Sequence, residues 1–308
     1  MIKSNSIITT SALATALLFA SSAHAAPCCA GNAAAPAIIS GDEQAQLSVL
    51  VSHSSVIGEV EGEGEPVFWN GDQHVVTQTV RVDGAILLSD RWQLGAMIPM
   101  VQQDVQSSGV GNTGTALGDI RLNAAYEALP EWSYSSWKPR GYVFAQLIVP
   151  TGNSVYDSTD LGMVDAAGNG FYTVALGSLL VKRWSSWDAS FVPEVHYGFR
   201  RRFSEEGITV NPGVGASALL GGGWSRGAFR VGARVQPQYS APKQTTTDAG
   251  QSMSIYQFAW NAGVDLTYMA SDEWSITGSY TDQTLVGPAV NTQLSRTFAL
   301  MLQRRWDR

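Results

Sequence analysis

The sequence predicts an all-β protein: a closed, antiparallel, up-and-down transmembrane barrel of about twelve strands, preceded by a cleaved signal peptide. Three observations carry that expectation. Apolar and polar residues alternate with period two, short turns alternate with long loops along the chain, and aromatic residues recur at the ends of the apolar faces. Such a strand offers one face to hydrocarbon and the other to an interior.

Composition narrows the class. Charged residues make up 15% of the 308, against about 25% in an ordinary soluble domain. In their place stand 31 Gly, 10 Trp, 10 Tyr and 10 Phe. Lysine occurs only at Lys3, Lys138, Lys182 and Lys243, and the net charge is -7. That balance argues against nucleic acid, whose phosphates call for a basic surface. A disordered chain and a coiled coil are equally disfavoured.

Residues 1–25 read as a signal peptide. Lys3 supplies a basic start, Ile7 to Ala20 an apolar run, and Ala23-His24-Ala25 a small-residue cleavage site. The apolar run is too short to span a bilayer, and no later run of about 18 apolar residues offers a helix, so a spanning structure has to be a barrel. Residues 26–43 form an Ala/Pro-rich tail, a candidate plug for the lumen, and residues 44–308 form the barrel. The only cysteines, Cys28-Cys29, are adjacent in that tail, where a bond between them would be strained, and a bond between chains or to a metal stays open. Pro27 before Cys28 argues against lipidation, and no structural disulfide is expected.

In chain order the expected strands are 44–56, 73–88, 92–105, 119–128, 140–149, 170–184, 187–203, 208–220, 228–240, 254–269, 273–285 and 293–306. The clearest runs from Tyr256 through Phe258, Trp260, Ala262, Val264 and Leu266 to Tyr268, with Gln257, Asn261, Asp265 and Thr267 between. Phe229, Val231, Ala233, Val235, Pro237 and Tyr239 repeat the pattern against Arg230, Arg234, Gln236 and Gln238. Strands 140–149 and 170–184 have ambiguous faces. Pro193, in mid-strand, removes a ladder bond or marks a bulge. The last strand carries Phe298, Leu300 and Leu302 on one face and ends near Trp306, resembling the C-terminal signal read by the barrel-assembly machinery.

Long loops (57–72, 106–118, 150–169 and 241–253) alternate with short turns. Leu88-Ser89-Asp90-Arg91-Trp92 matches Ala270-Ser271-Asp272-Glu273-Trp274, and Ser185-Ser186-Trp187 is a looser copy. A turn followed at once by Trp, always on the same rim, predicts an interfacial aromatic belt. An even strand number with short turns on the terminal side predicts both termini in the periplasm of a Gram-negative bacterium.

If the apolar faces meet outer-membrane lipid, the other faces line the interior. The candidate pore-lining residues are Arg81, Asp83, Arg121, Glu127, Glu194, His196, Arg230, Arg234 and Asp265, with Arg200 and Arg202 on the same face. Such charges stay hydrated in a wide pore or pair across a narrow one. Loop 57–72 is acidic, with Glu59, Glu61, Glu63, Glu65 and Asp72. The run Arg200-Arg201-Arg202 either meets lipopolysaccharide phosphates or pairs with Glu205 and Glu206.

Leu117-Gly118-Asp119-Ile120-Arg121-Leu122-Asn123-Ala124-Ala125-Tyr126, followed downstream by Leu147-Ile148-Val149-Pro150-Thr151-Gly152, resembles the outer-membrane proteins grouped as the phenol meta-pathway degradation family. That resemblance implies a barrel for uptake of small hydrophobic or aromatic compounds, with the motif residues serving structure.

No catalytic residue, metal site or cofactor is expected. His53 and Ser55 share one strand face, an arrangement reminiscent of outer-membrane phospholipases, but no third partner orients the pair. His74 is isolated. The expectation is therefore an outer-membrane channel for a small-molecule solute, not an enzyme. The alternatives are an outer-membrane hydrolase using His53 and Ser55, a non-conducting structural or recognition barrel and, at the level of fold, a secreted soluble β-sandwich.

Overall fold

The computed structural model describes residues 36–70, 73–107, 110–131, 133–203, 207–248 and 250–307. The signal peptide, residues 26–35 with Cys28-Cys29, and the acidic residues Asp72, Glu205 and Glu206 lie outside the described residues.

The chain opens with β1 (Glu43–Val60), β2 (Val67–Phe68), β3 (Gln73–Leu87), β4 (Trp92–Ser107), β5 (Val110–Leu117) and β6 (Ile120–Leu129). It continues with β7 (Arg140–Val149), β8 (Thr173–Arg183), β9 (Trp187–Gly198), β10 (Arg201–Phe203), β11 (Ile208–Asn211) and β12 (Gly213–Arg226). The last six are β13 (Phe229–Ser240), β14 (Gln244–Thr247), β15 (Gly250–Met253), β16 (Gln257–Met269), β17 (Trp274–Asp282) and β18 (Thr292–Asp307). Twelve of these form one antiparallel wall in the order β1, β3, β4, β6, β7, β8, β9, β12, β13, β16, β17, β18. The circle closes where β18 pairs with β1, from Glu43↔Asp307 to Val60↔Thr292. Closure pairs the wall's backbone groups with one another, the condition for crossing lipid with strands. Among the described residues no helix is long and apolar enough to cross a membrane.

Each of the twelve expected strands has a counterpart in the wall, and 140–149 coincides with β7, but 187–203 and 208–220 are too long on the loop side: Arg201–Phe203 and Ile208–Asn211 leave the wall as β10 and β11. The faces sort as the alternation requires. Val51, Leu266 and Leu300 stand more than half exposed on the outside, while Arg81, Asp83 and Asp265 on the opposite face are buried. A wall of exposed aliphatic side chains around a buried polar interior is the reverse of a soluble sandwich, and it fits a hydrocarbon surrounding.

Two aromatic rows bound this band. Trp92, Trp187, Trp224, Phe229, Tyr268 and Trp274 circle the rim that holds the chain termini, and Tyr197, Phe199, Tyr239 and Phe298 stand toward the other. On β16 the rows lie ten residues apart, from Tyr268 to Phe258. That is about 33 Å of strand and, at a tilt of about 40°, about 25 Å of height, the thickness of a barrel's apolar band.

The repeated turns share their hydrogen bonds. Leu88 N–H donates to the Trp92 carbonyl (2.8 Å) and Ala270 N–H to the Trp274 carbonyl (2.9 Å). Ser89 Oγ accepts from Trp92 N–H (3.3 Å), as Ser271 Oγ does from Trp274 N–H (3.1 Å). Trp184 N–H to the Trp187 carbonyl (2.7 Å) closes the looser copy. The serine caps each turn and sets the following Trp on the rim.

The connections expected to be long, 57–72, 106–118, 150–169 and 241–253, all lie on the opposite rim and are more ordered than expected, while the ten-residue connection 130–139 between β6 and β7 lies on the terminal rim. β4 runs on to Ser107 and pairs with β5 where residues 106–118 suggested a loop. Likewise 241–253 folds into the β14–β15 hairpin, which joins β10 and β11 in a separate four-stranded sheet. Polar, Thr-rich strands such as Gln244–Thr247 carry no apolar alternation, so periodicity alone misses them. Under this sheet Phe171, Phe203 and Val210 form a small core with Tyr156 and Ile208. There burial pushes the Tyr156 phenol pKa up.

The two strands with ambiguous faces have a clear reason for it. β7 turns Tyr142 and Phe144 inward while Val143 and Leu147 face out, and β8 turns Leu179 and Val181 inward. Those inward side chains pack with Ala125, Val192 and Leu219 around Ile38, from the segment preceding β1. A strand with lipid outside and an apolar guest inside loses its alternation. Pro193 leaves the β8–β9 ladder unpaired between Gly177↔Glu194 and Leu180↔Phe191, while Ala218 still pairs with it from β12.

Candidate functional site

The interior holds three polar groupings and one chain segment. The segment, residues 36–42, enters from the terminal rim; Ala37, Ile38, Ile39 and Ser40 are buried. Gln93 on β4 grips the Ile39 peptide from both sides: its Oε1 accepts from Ile39 N–H (2.6 Å) and its Nε2 donates to the Ile39 carbonyl (3.2 Å). Asn123 Nδ2 donates to the Ala37 carbonyl (3.0 Å). Arg140 Nη1 reaches the Ser40 and Gly41 carbonyls (3.3 and 3.1 Å), while its Nε is paired with Glu127 (2.5 Å). A Cβ at Gly95 would stand 2.7 Å from the Ala37 carbonyl oxygen, so the segment's close approach depends on that glycine.

Across the lumen, still in the terminal half, is an ion-pair cluster. Arg230 binds Asp188 with both Nε (2.8 Å) and Nη2 (2.7 Å), and Asp265 with Nη1 (2.6 Å). Arg234 reaches Asp265 (3.5 Å) and Thr281 Oγ1 (3.0 Å). Arg230 is 1% exposed, so this cluster is a packed girder across β9, β13 and β16.

Toward the opposite rim the lumen retains a cavity of about 320 Å³, lined by Arg81, Arg121, Asp119, Leu50, Met97 and Pro99, with the hydroxyls of Ser52, Thr79 and Thr297. Arg81 is fixed by Asp83 on the same strand face, through Nε and Nη2 at 2.9 Å each. Glu194 lies 3.9 Å from His196 and within electrostatic reach of Arg121. Residues 167–169 of the loop after β7 form the chamber's roof. Asp119 fixes that roof: its carboxylate accepts from Asn169 N–H (2.7 Å) and Gly152 N–H (3.2 Å). Thr151 Oγ1 donates to the Gly118 carbonyl (2.7 Å) and accepts from Ile120 N–H (3.0 Å). The two motifs read in the sequence are thus one contact, Gly118-Asp119 against Thr151-Gly152.

The nine candidate lining residues all turn inward but do not converge. Arg81, Asp83, Arg121, Glu194 and His196 belong to or back the chamber, Arg230, Arg234 and Asp265 to the girder, and Glu127 to the clamp on the segment. Arg200 and Arg202 do not face the lumen. β9 leaves the wall at Gly198, and both side chains are exposed beyond it. Arg201 instead pairs with Asp157 (3.3 Å) and donates to the Gly170 carbonyl (2.7 Å). Periodicity could not single out Asp188, Arg140, Gln93, Asn123 or Asp119, because an inward polar residue looks the same whether or not it holds something. His53 Nε2 and Ser55 Oγ do meet, at 3.3 Å. They meet on the exposed outer face, and among the described residues no carboxylate bonds His53. His74 is exposed.

Among solved structures, the COG4313 outer membrane channel from Pseudomonas putida F1 superposes with a TM-score of 0.68, at 15% sequence identity, covering 88% of this chain and 100% of that one. The two share one fold. The NanC porin (TM-score 0.47, 8% identity, 84% of this chain and 98% of that one) and the CymD monoaromatic hydrocarbon channel (0.42, 10%, 87% and 90%) are looser likenesses. No protein-family model matches the chain, and a search of curated proteins finds no match.

Proposed function

We propose that the chain is a channel of a Gram-negative outer membrane that admits small hydrophobic or aromatic molecules, with both termini in the periplasm. One observation carries this reading: the barrel keeps an internal chamber while residues 36–42, bonded to Gln93, Asn123 and Arg140, occupy the lumen beside it. The segment is a removable stopper, since side chains hold it rather than a β-ladder. The fold shared with the COG4313 channel supports a transport role. The aromatic substrate class rests on the resemblance of Leu117–Tyr126 and Leu147–Gly152 to the phenol meta-pathway degradation family.

In this reading solutes enter past the roof, rest in the chamber and leave when the segment yields. The inward charged residues set the charge preference. Outside, Arg200 and Arg202 meet lipopolysaccharide phosphates beyond the aromatic row, and β18, ending near Trp306, is the strand handed to the barrel-assembly machinery. The test is conductance of the refolded mature protein in a planar bilayer, alongside a form lacking residues 26–42. The channel reading expects small steps from the first and larger steps from the second. Folded, inserted protein that is silent in both forms would make this a recognition barrel.

A further inference from the structure

Ile38 covers a patch of the inner wall that is built like a ligand site. Ala37 and Ile39 pack toward Ala85 on β3, whereas Ile38 packs on the inner faces of β6 to β12. There Tyr142, Leu179, Val192 and Leu219 follow one another across β7, β8, β9 and β12, with no charged side chain between them. Phe144, opposite Gly177, widens this row by one step toward the chamber. Charges stand only at its borders. Glu127, opposite Tyr142, is bonded to Arg140, and Glu194 follows Val192 on the chamber side. Three buried polar atoms in and beside the row have no hydrogen-bond partner among the described residues: Tyr142 Oη, Gln146 Nε2 and Ser190 Oγ. Their residues are 2%, 3% and 2% exposed. Tyr142 belongs to the row, Gln146 is the next inward residue after Phe144 on β7, and Ser190 is the inward residue before Val192 on β9. Buried polar atoms are nearly always paired, and all three of these can donate. A fourth such atom, Arg183 Nη2, lies nearer the terminal rim, opposite Asp188.

We propose that this row is a solute site within the lumen, and that Ile38 occupies it in the closed channel as a substitute for the solute. Its ligand is a neutral molecule with one apolar ring and an acceptor oxygen. The ring replaces Ile38 against Leu179, Val192 and Leu219. The oxygen accepts from the buried donors that Ile38, a hydrocarbon side chain, leaves unpaired. A carboxylate is excluded from the row because apolar surroundings would strip its hydration. Solute and segment then compete for one place, so binding of the solute shifts the segment toward release by its preference for that state. The inference rests on the channel reading and deepens it: the row that selects the solute is also the row that keeps the path closed.

The test is calorimetric titration of the folded, detergent-solubilised mature protein with phenol, toluene and benzoate. Phenol should bind with one-to-one saturation. Toluene should bind about 3- to 10-fold more weakly for want of the hydroxyl, and benzoate at least about tenfold more weakly because of its charge. Ile38→Ala trims the competitor without touching the wall, and should tighten phenol about 10- to 50-fold as the row becomes free more often. Tyr142→Phe removes one unpaired hydroxyl at constant shape, and should weaken phenol about 3- to 10-fold while leaving toluene unchanged. It also keeps the proposal testable should Ile38→Ala fail to give the heat-dependent gel shift of a folded barrel. No phenol binding, phenol affinity unaltered by either variant, or benzoate bound as tightly as phenol would overturn the proposal, the last by assigning recognition to the charge of Arg183. Bilayer conductance separates the two claims. Steps without phenol binding refute the site and spare the channel, whereas phenol binding without steps does the reverse.

Discussion

Gln93→Ala is the perturbation that speaks most directly to the stopper. Gln93 is 1% exposed and makes two hydrogen bonds to the Ile39 peptide, at 2.6 and 3.2 Å. Its removal strands a buried N–H and a buried carbonyl, each worth about 1–1.5 kcal/mol at the lower end of the range for an unsatisfied group. The total, about 2–3 kcal/mol, shifts the ratio of seated to released segment by about 30- to 150-fold. That shift matters because the seated state is finely balanced. Burying Ile38 and Ile39 contributes about 4–6 kcal/mol, and five side-chain-to-backbone bonds contribute about 5 kcal/mol. Ordering about five residues costs about 5–10 kcal/mol. Gln93→Ala removes a large part of that surplus, so the released segment should be populated about 30- to 150-fold more in the variant. Two assays read the release: single-channel recordings should show longer dwell in the larger conductance state, and Ile38→Cys should gain reactivity toward a soluble maleimide. Unaltered conductance together with a protected cysteine in a folded barrel would refute the reasoning, because the segment would then be an integral part of the wall.

Further outcomes follow from other contacts. Asp265→Ala leaves Arg230 and Arg234 facing each other in a buried site and should destabilise the barrel by about 3–5 kcal/mol in denaturant titrations from lipid vesicles, against less than about 1 kcal/mol for Glu273→Ala, whose pair with Arg304 is exposed. Asp119→Ala removes the acceptor for Gly152 and Asn169 and should speed proteolysis within residues 153–169 several-fold with the barrel itself intact; an unchanged rate would mean the roof is fixed elsewhere. Ser55→Ala should leave any ester-hydrolysing activity of the purified protein unaltered, since among the described residues no carboxylate orients the His53–Ser55 pair. Loss of an activity in that variant would reopen the hydrolase reading.

Wherever one side of a strand met lipid and the other a polar lumen, the sequence disclosed the fold. β13 and β16 were legible to within a few residues for that reason, and the serine-capped turns before Trp92 and Trp274 were legible as a repeat because identical hydrogen bonds demand similar residues. β7 and β8 were opaque. Their inward Tyr142, Phe144, Leu179 and Val181 answer to Ile38, more than a hundred residues earlier, and no local window contains that information. The polar sheet of β10, β11, β14 and β15 was hidden for a related reason. It packs on Phe171 and Tyr156 from a different loop, and its own strands carry too little apolar pattern to announce themselves.

The interior residues show the same limit on a finer scale. Alternation put Arg81, Arg121, Glu127 and Arg230 on one face, but being inward does not say what a charge holds. Arg230 spans two carboxylates within a girder; Arg140, which the pattern did not single out, holds both Glu127 and the stopper; Arg81 and Arg121 face a cavity. The difference follows from depth and partners. Near the terminal rim the lumen is filled by the segment and the girder, so charges there are paired and rigid. One step further along β4 and β6, at Met97 and Arg121, the filling stops and the guanidiniums border open space. Charge preference should therefore reside in the chamber and gating in the segment, so that Arg121→Gln and Gln93→Ala have separable effects. The first should change which ions pass and the second how often the path is open, and the double variant should show both effects additively. Strong non-additivity would mean that the Asn123 contact to Ala37 couples chamber and stopper through β6.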